Sequence, residues 1–199
     1  MSVTRMLMLG VVRIFQPTHG YHVRRELGSW QVAEWAHLNP GSVYNALRVL
    51  TKEGMLLEQK VDEKAQYRLT LDGEQEFLRL VREGLWQLHP YEPGWLMAGV
   101  SFWFALSREE VVDALTARGD LLRARIAGSQ YAVAGVENGA PGTPEHVVEG
   151  FHWHVLQLRA ELEWTQQVVE RIRGGAYGFA GEAPERANPQ KDPFGPTTP

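Results

Sequence analysis

The chain has 199 residues, enough for one domain of ordinary size or two small ones, and 44% hydrophobic against 22% charged residues supports a globular fold with a true core. With no cysteine it holds no disulfide scaffold, no thiolate zinc site and no thiol nucleophile, and its apolar runs are too short to cross a bilayer as helices. The net charge of −4 is unevenly divided: residues 1–83 carry 11 Lys/Arg against 10 Asp/Glu and residues 84–199 carry 9 against 14, so any basic surface is local and lies in the first half.

Residues 4–15 read as a mostly buried helix that Gln16-Pro17-Thr18 ends. A second helix is expected from about His19 to Leu27, with Val23 and Leu27 on one face and Gly28 as a left-handed stop. Residues 29–38 read as a connector with a helical turn carrying Trp30 and Trp35. Asn39-Pro40 is a strong helix start, because Asn accepts bonds from free amides and Pro at the first position loses none. That third helix runs to about Glu53 and stops at Gly54. Residues 55–61 and 65–70 read as two strands around the tip Asp62-Glu63-Lys64, with Val61, Tyr67 and Leu69 as packing positions. Thr70 caps a further helix that reaches about Leu88, and residues 90–94 (PYEPG) mark a boundary.

Beyond it, Trp95 to Leu106 is free of charge and must bury its surface. Ser107 and Glu110 form a capping-box pattern ahead of a helix bearing Val111, Leu115, Leu122 and Ile126 on one face. Residues 135–144 read as a loop, and Thr143-Pro144 starts a last helix. Its positions Phe151, Val155, Leu158, Leu162, Thr165, Val169 and Ile172 alternate by four and three, the spacing of a coiled-coil seam. The architecture expected is mainly α. Residues 1–88 form a winged helix-turn-helix DNA-binding domain with a two-stranded wing, 89–173 a helical dimerisation and effector domain, and 174–199 a disordered Gly- and Pro-rich tail.

The third helix carries the chemistry. At 100° per residue, Val43, Ala46, Leu47 and Leu50 fall on one side, and Asn45, Arg48 and Lys52 on the other, flanked by Ser42 and Tyr44. Arg bonds guanine bidentately, Asn bonds adenine and Lys pairs with phosphate, so this face suits a major groove. Any amphipathic helix also shows a solvated polar face.

Several pieces in order resemble the PadR family of bacterial transcriptional regulators over residues 8–77. They are Leu9-Gly10, His19-Gly20-Tyr21, Pro40-Gly41-Ser42-Val43-Tyr44, Ala46-Leu47, Leu50, Glu53-Gly54, and Tyr67-Arg68-Leu69-Thr70 with Gly73. Residues 159–164 (RAELEW) are similar to the last helix of its longer members. The resemblance implies a two-fold dimer on double-stranded inverted-repeat operator DNA, held by C-terminal helices and acting as a cytoplasmic repressor. The wing departs from the family pattern, because Asp62 and Glu63 stand at the tip beside Lys64 where basic residues are usual. Lys60, Lys64 and Arg68 are then left to reach phosphates. The acidic wing and negative net charge slightly favour the alternative, a helical protein-interaction module whose winged helix no longer binds DNA, and the outward Asn45, Arg48 and Lys52 oppose it.

No nucleophile elbow, phosphate-binding glycine loop or H-E-x-x-H motif is present, so no catalytic residue and no cofactor is expected. No metal is expected either: His152 and His154 point about 200° apart on a helix, and Glu149 offers only a two-ligand clip to His146 or His152. Five of the seven tryptophans lie between 86 and 164. They read as an aromatic core or, in part, as a pocket for a small aromatic or apolar effector of the kind PadR-like regulators answer to. Trp95, Phe102, Trp103 and Trp153 are its expected walls.

Overall fold

Residues 3–36, 38, 41–90, 92–138, 144 and 146–182 are described by a computed structural model. The chain divides into two compact units, Met1–Leu106 and Ser107–Pro199. The division falls after the charge-free segment 95–106, not at 88/89 as the Pro-rich stretch suggested.

In the first unit, α1 (Val3–Phe15) is apolar almost all round and buries Met6 to Val12. A two-residue strand β1 (Thr18–His19) follows, then α2 (Gly20–Ser29), the short α3 (Val32–Trp35), α4 (Ser42–Lys52), β2 (Leu56–Val61), β3 (Lys64–Leu69), α5 (Leu71–Trp86) and α6 (Gly94–Phe102). Helix α2 continues through Gly28, and the left-handed residue of the connector is Gln31 at φ 53°. Asn39 and Pro40 lie outside the described residues. The sheet has three strands in the order β1-β3-β2, both pairings antiparallel, where the sequence suggested two. A two-residue strand is too short for periodicity to reveal.

Glycines set the close approaches. A Cβ on Gly84 would lie 2.7 Å from the Trp95 carbonyl oxygen, and one on Gly99 3.1 Å from the Gly84 carbonyl carbon, so α5 and α6 touch backbone to backbone. A Cβ on Gly10 would stand 2.3 Å from Cζ of Phe102. The Phe102 ring therefore lies flat on α1, with Phe77 edge-on at 5.3 Å and Trp30 at 5.7 Å. This packing draws 94–106 into the core of the first unit. Trp35 Nε1 donates to the Trp30 carbonyl at 3.2 Å, which gives both connector tryptophans a structural use.

The second unit is a helical hairpin of α7 (Arg108–Glu137) and α8 (Val147–Arg173). Ser107 and Glu110 close the expected capping box. Val111, Leu115, Leu122 and Ile126 are buried, as are Val155, Leu158, Thr165, Val169 and Ile172, while Phe151 and Leu162 are half-buried. The seam packs against α7 of the same chain. Most of its burial is supplied within one chain, so the stripe does not by itself require a second protomer. Buried Arg118 crosses the hairpin to Glu161 at 2.8 Å.

Residues 174–182 are folded, contrary to the expectation of disorder from 174 onward; 183–199 lie outside the described residues. Phe179 is fully buried beneath the Arg108 guanidinium, 4.7 Å from its ring centroid. Arg108 donates to the carbonyls of Ile172, Ala176 and Tyr177 and to the Glu182 carboxylate. One side chain thus satisfies the end of α8 and pins the returning chain.

Removing the ring that fills the first core should be costly. Phe102→Ala is expected to destabilise that unit by about 3–5 kcal/mol, read as a lower urea midpoint by circular dichroism. A loss under about 1 kcal/mol would place the ring outside the group of residues that hold the core.

Candidate nucleic-acid interface

Helix α4 is ended by a Schellman motif: Gly54 sits at φ 76°, its amide bonds the Thr51 carbonyl, and the Met55 amide bonds the Leu50 carbonyl at 2.9 Å. Val43, Leu47 and Leu50 are buried; Ala46 is half-buried. The first turn packs tightly on α2, where a Cβ on Gly20 would come 2.8 Å from the Tyr44 ring and 3.3 Å from Leu47. That contact leaves Tyr44 half in solvent, at 50% exposure.

Of the expected contact residues, the structure brings Tyr44, Asn45, Arg48 and Lys52 together, exposed along α4, with Ser42 half-buried at its start. Arg48 Nη2 donates to Asn45 Oδ1 at 2.8 Å. The wing residues are not gathered on one side. Antiparallel partners share a face, so Val61 with Lys64 and Leu57 with Arg68 lie on the outer face, and Lys60 with Ala65 on the inner one. The turn is Asp62-Glu63, at φ 48° and 61°, with Lys64 already in β3. Val61, an expected packing position, is therefore exposed, because a shift of one residue in the turn reverses the face. Tyr67 is buried; burial and then the adjacent Glu58 carboxylate, which accepts its hydroxyl, push its phenol above the ordinary value. His19 Nδ1 meets the Ala65 carbonyl at 2.9 Å, which makes Nδ1 the protonated nitrogen and fastens β1 to β3.

Charge on this unit is sorted by position. Five of its eleven carboxylates are held by arginines: Glu53 and Glu76 with Arg5, Glu74 with Arg13, Glu26 with Arg25, and Glu76 and Glu83 with Arg79. Among the described residues no carboxylate pairs with Arg24, Arg48, Lys52, Lys60, Lys64 or Arg68. A nearly neutral domain thus keeps unpaired basic side chains on α4, while the wing sets Asp62 and Glu63 beside its own lysines. Sequence reasoning passed over Tyr21, Arg24 and Arg25, which are exposed on α2. Their signal was available, since they lie off the Val23 and Leu27 face.

The expected effector walls divide between the two units, Trp95, Phe102 and Trp103 in the first and Trp153 in the second. Trp95 is buried, stacked on His89 at 4.5 Å, and donates to Glu92 at 2.7 Å. Phe102 fills the first core, Trp103 is half-buried beside it in chain order, and Trp153 is 63% exposed in the second unit. His152 faces Glu137 at 3.4 Å and Glu149 at 3.9 Å, and no group of three metal-ligating side chains occurs among the described residues. Among those residues no helix is long and apolar enough to cross a membrane.

Three helices, a β-hairpin and a further helix, with a basic polar face outward on α4, define a winged helix-turn-helix of the DNA-binding type. Residues 8–79 match the model of the transcriptional regulator PadR-like family. No curated protein sequence matches it. Solved structures align at a TM-score of 0.36. They include Bacillus subtilis PadR in complex with p-coumaric acid (18% identity, 86% of this chain and 99% of that one) and the same protein with operator DNA (19%, 85% and 99%). A PadR-like regulator from Bacillus cereus aligns at the same score (17%, 86% and 99%). At that level the assignment rests on the family match alone.

The engaged carboxylates predict acid behaviour. The Arg79 hydrogen bond, opposed by burial and aided by Arg5, holds the Glu76 carboxyl below its ordinary value. Its stabilisation is full above the unfolded glutamate pKa of about 4.3 and is lost as pH falls through the folded value. Glu76→Gln should lower stability by about 1–2 kcal/mol at neutral pH and make unfolding less pH-dependent below about 4.3. Parallel stability curves for variant and wild type would contradict this.

Proposed function

We propose that the protein is a cytoplasmic, homodimeric repressor that binds inverted-repeat operator DNA through α4. The observation that carries this is the basic face of α4, where Arg48 and Lys52 are exposed and pair with no carboxylate among the described residues. Arg48, with Asn45 beside it, meets a base edge, Lys52 meets phosphate, and the wing contributes Lys64 and Arg68 from one face and Lys60 from the other. Dimerisation uses apolar surface that the hairpin leaves open: Tyr131, Trp153 and Leu156 are 85%, 63% and 62% exposed. Titrating the full chain against the gene's own upstream DNA tests the reading. Two related half-sites should be protected. Arg48→Ala should cost about 1–3 kcal/mol and relax one position per half-site. Lys52→Ala should weaken all sequences alike and flatten the salt dependence. Equal binding by wild type and Arg48→Ala would remove this face from the interface.

Control by a small aromatic effector finds its room on the hairpin, not among Trp95 and Phe102. A groove of about 570 Å³ is lined by Val133, Ala134, Val155 and Leu156, with Gln130, Arg159 and the facing pair His152 and Glu137 at its polar edge. Apolar walls beside a guanidinium suit an aromatic carboxylate. Such a compound should change Trp153 emission saturably and shift the operator titration, and Arg159→Ala should abolish both. A compound that quenches emission without moving the titration would deny the groove a regulatory role.

A further inference from the structure

The face of α4 also carries information about which base it reads, an inference that rests on the DNA-binding reading above. Arg48 lies three residues after Asn45, and its Nη2 donates to Asn45 Oδ1 at 2.8 Å. A guanidinium has only donors, so the contact fixes the amide: the oxygen is turned to Arg48 and the NH2 group away from it. Both side chains are exposed, and no carboxylate pairs with Arg48 among the described residues. The guanidinium keeps its charge and its remaining N–H groups. What this pair shows to a partner is mainly donors, with one lone pair of its side-chain acceptor taken by Arg48.

That arrangement bears on the choice of base. An asparagine that reads adenine needs both halves of its amide, donating to N7 and accepting from the N6 amino group. Arg48 takes one of the two lone pairs of Asn45 Oδ1 and sets its guanidinium beside the other, so an adenine N6 amino group must compete with a cationic donor for that oxygen. Guanine presents two acceptors, N7 and O6, in the major groove, whereas adenine and cytosine present an amino donor there. We infer that Asn45 and Arg48 act as one reader of guanine: the Arg48 fork takes N7 and O6, and Asn45 is a positioning residue that holds the fork in plane. The two residues then govern a single base position in each half-site instead of two.

The test is selection of bound sites from a randomised duplex library by the full-length protein, run for wild type and variants of these two exposed residues. Wild type should enrich a guanine that Arg48→Ala loses, with a fall in discrimination of about 5- to 150-fold at that position. Asn45→Ala should relax the same guanine by a smaller factor. Asn45→Asp keeps the acceptor for Arg48, so it should retain the guanine preference while its negative charge weakens binding to every sequence. Arg48→Lys should not restore the preference, because an ammonium lacks the planar fork. If Asn45→Ala instead relaxes a separate adenine and leaves the guanine untouched, the paired reader is overturned while DNA binding stands. If wild type enriches no sequence, the DNA-binding reading falls and this inference with it.

Discussion

The carbonyl oxygen of Met55 is the point at which α4, the wing and α5 are joined. It accepts the Thr70 amide at 3.1 Å and lies 3.2 Å from the Thr70 hydroxyl, which also donates to the Gly54 carbonyl at 2.7 Å. The same hydroxyl accepts the Gly73 amide at 2.9 Å and so caps α5. Gly73 has no room for a side chain, since a Cβ would lie 2.0 Å from the Met55 oxygen. The end of the recognition helix, the start of β2, the end of β3 and the first turn of α5 are thereby tied within a few ångströms. The direction in which α4 presents Asn45 and Arg48 relative to the hairpin follows from that joint.

Behind it, the helices are held by shape. Gly10 receives the Phe102 ring, Gly84 and Gly99 let α5 and α6 meet, and Gly20 admits Tyr44. Each is a place where an absent side chain lets two elements approach, and together they carry the buried stripe of α4 on a rigid base. Electrostatics then acts on the surface that remains. Arg5, Arg13, Arg25 and Arg79 pair with Glu26, Glu53, Glu74, Glu76 and Glu83, so these acids do not offset the cations of α4.

Local signals in the sequence were legible where the chemistry is local. Gly54, Thr70 and the Ser107–Glu110 box announced their turns and caps, and the 100° spacing of α4 separated its buried residues from Asn45, Arg48 and Lys52. What escaped was set at a distance. Strand β1 exists only through its pairing with β3. The seam of α8 was plain, but periodicity says that a stripe is buried and not which helix covers it. The charge-free run 95–106 had to be buried, yet only Gly10, Gly84 and Gly99 reveal that it packs on α1 and α5. One residue of difference at the Asp62-Glu63 turn reversed Val61. The Asn45–Arg48 contact was within reach of helical geometry, since residues three apart are neighbours, but residue types alone treated the two as separate readers.

The central claim is that α4 lies in the major groove, and methylation interference on the bound upstream DNA addresses it directly. Methyl groups on guanine N7 project into the major groove and those on adenine N3 into the minor. With the full-length protein, N7-methylated guanines within the protected half-sites should be excluded from the complex while N3-methylated adenines are accepted. Exclusion of N3-methyladenine alone, with N7-methylguanine tolerated throughout the site, would contradict the account.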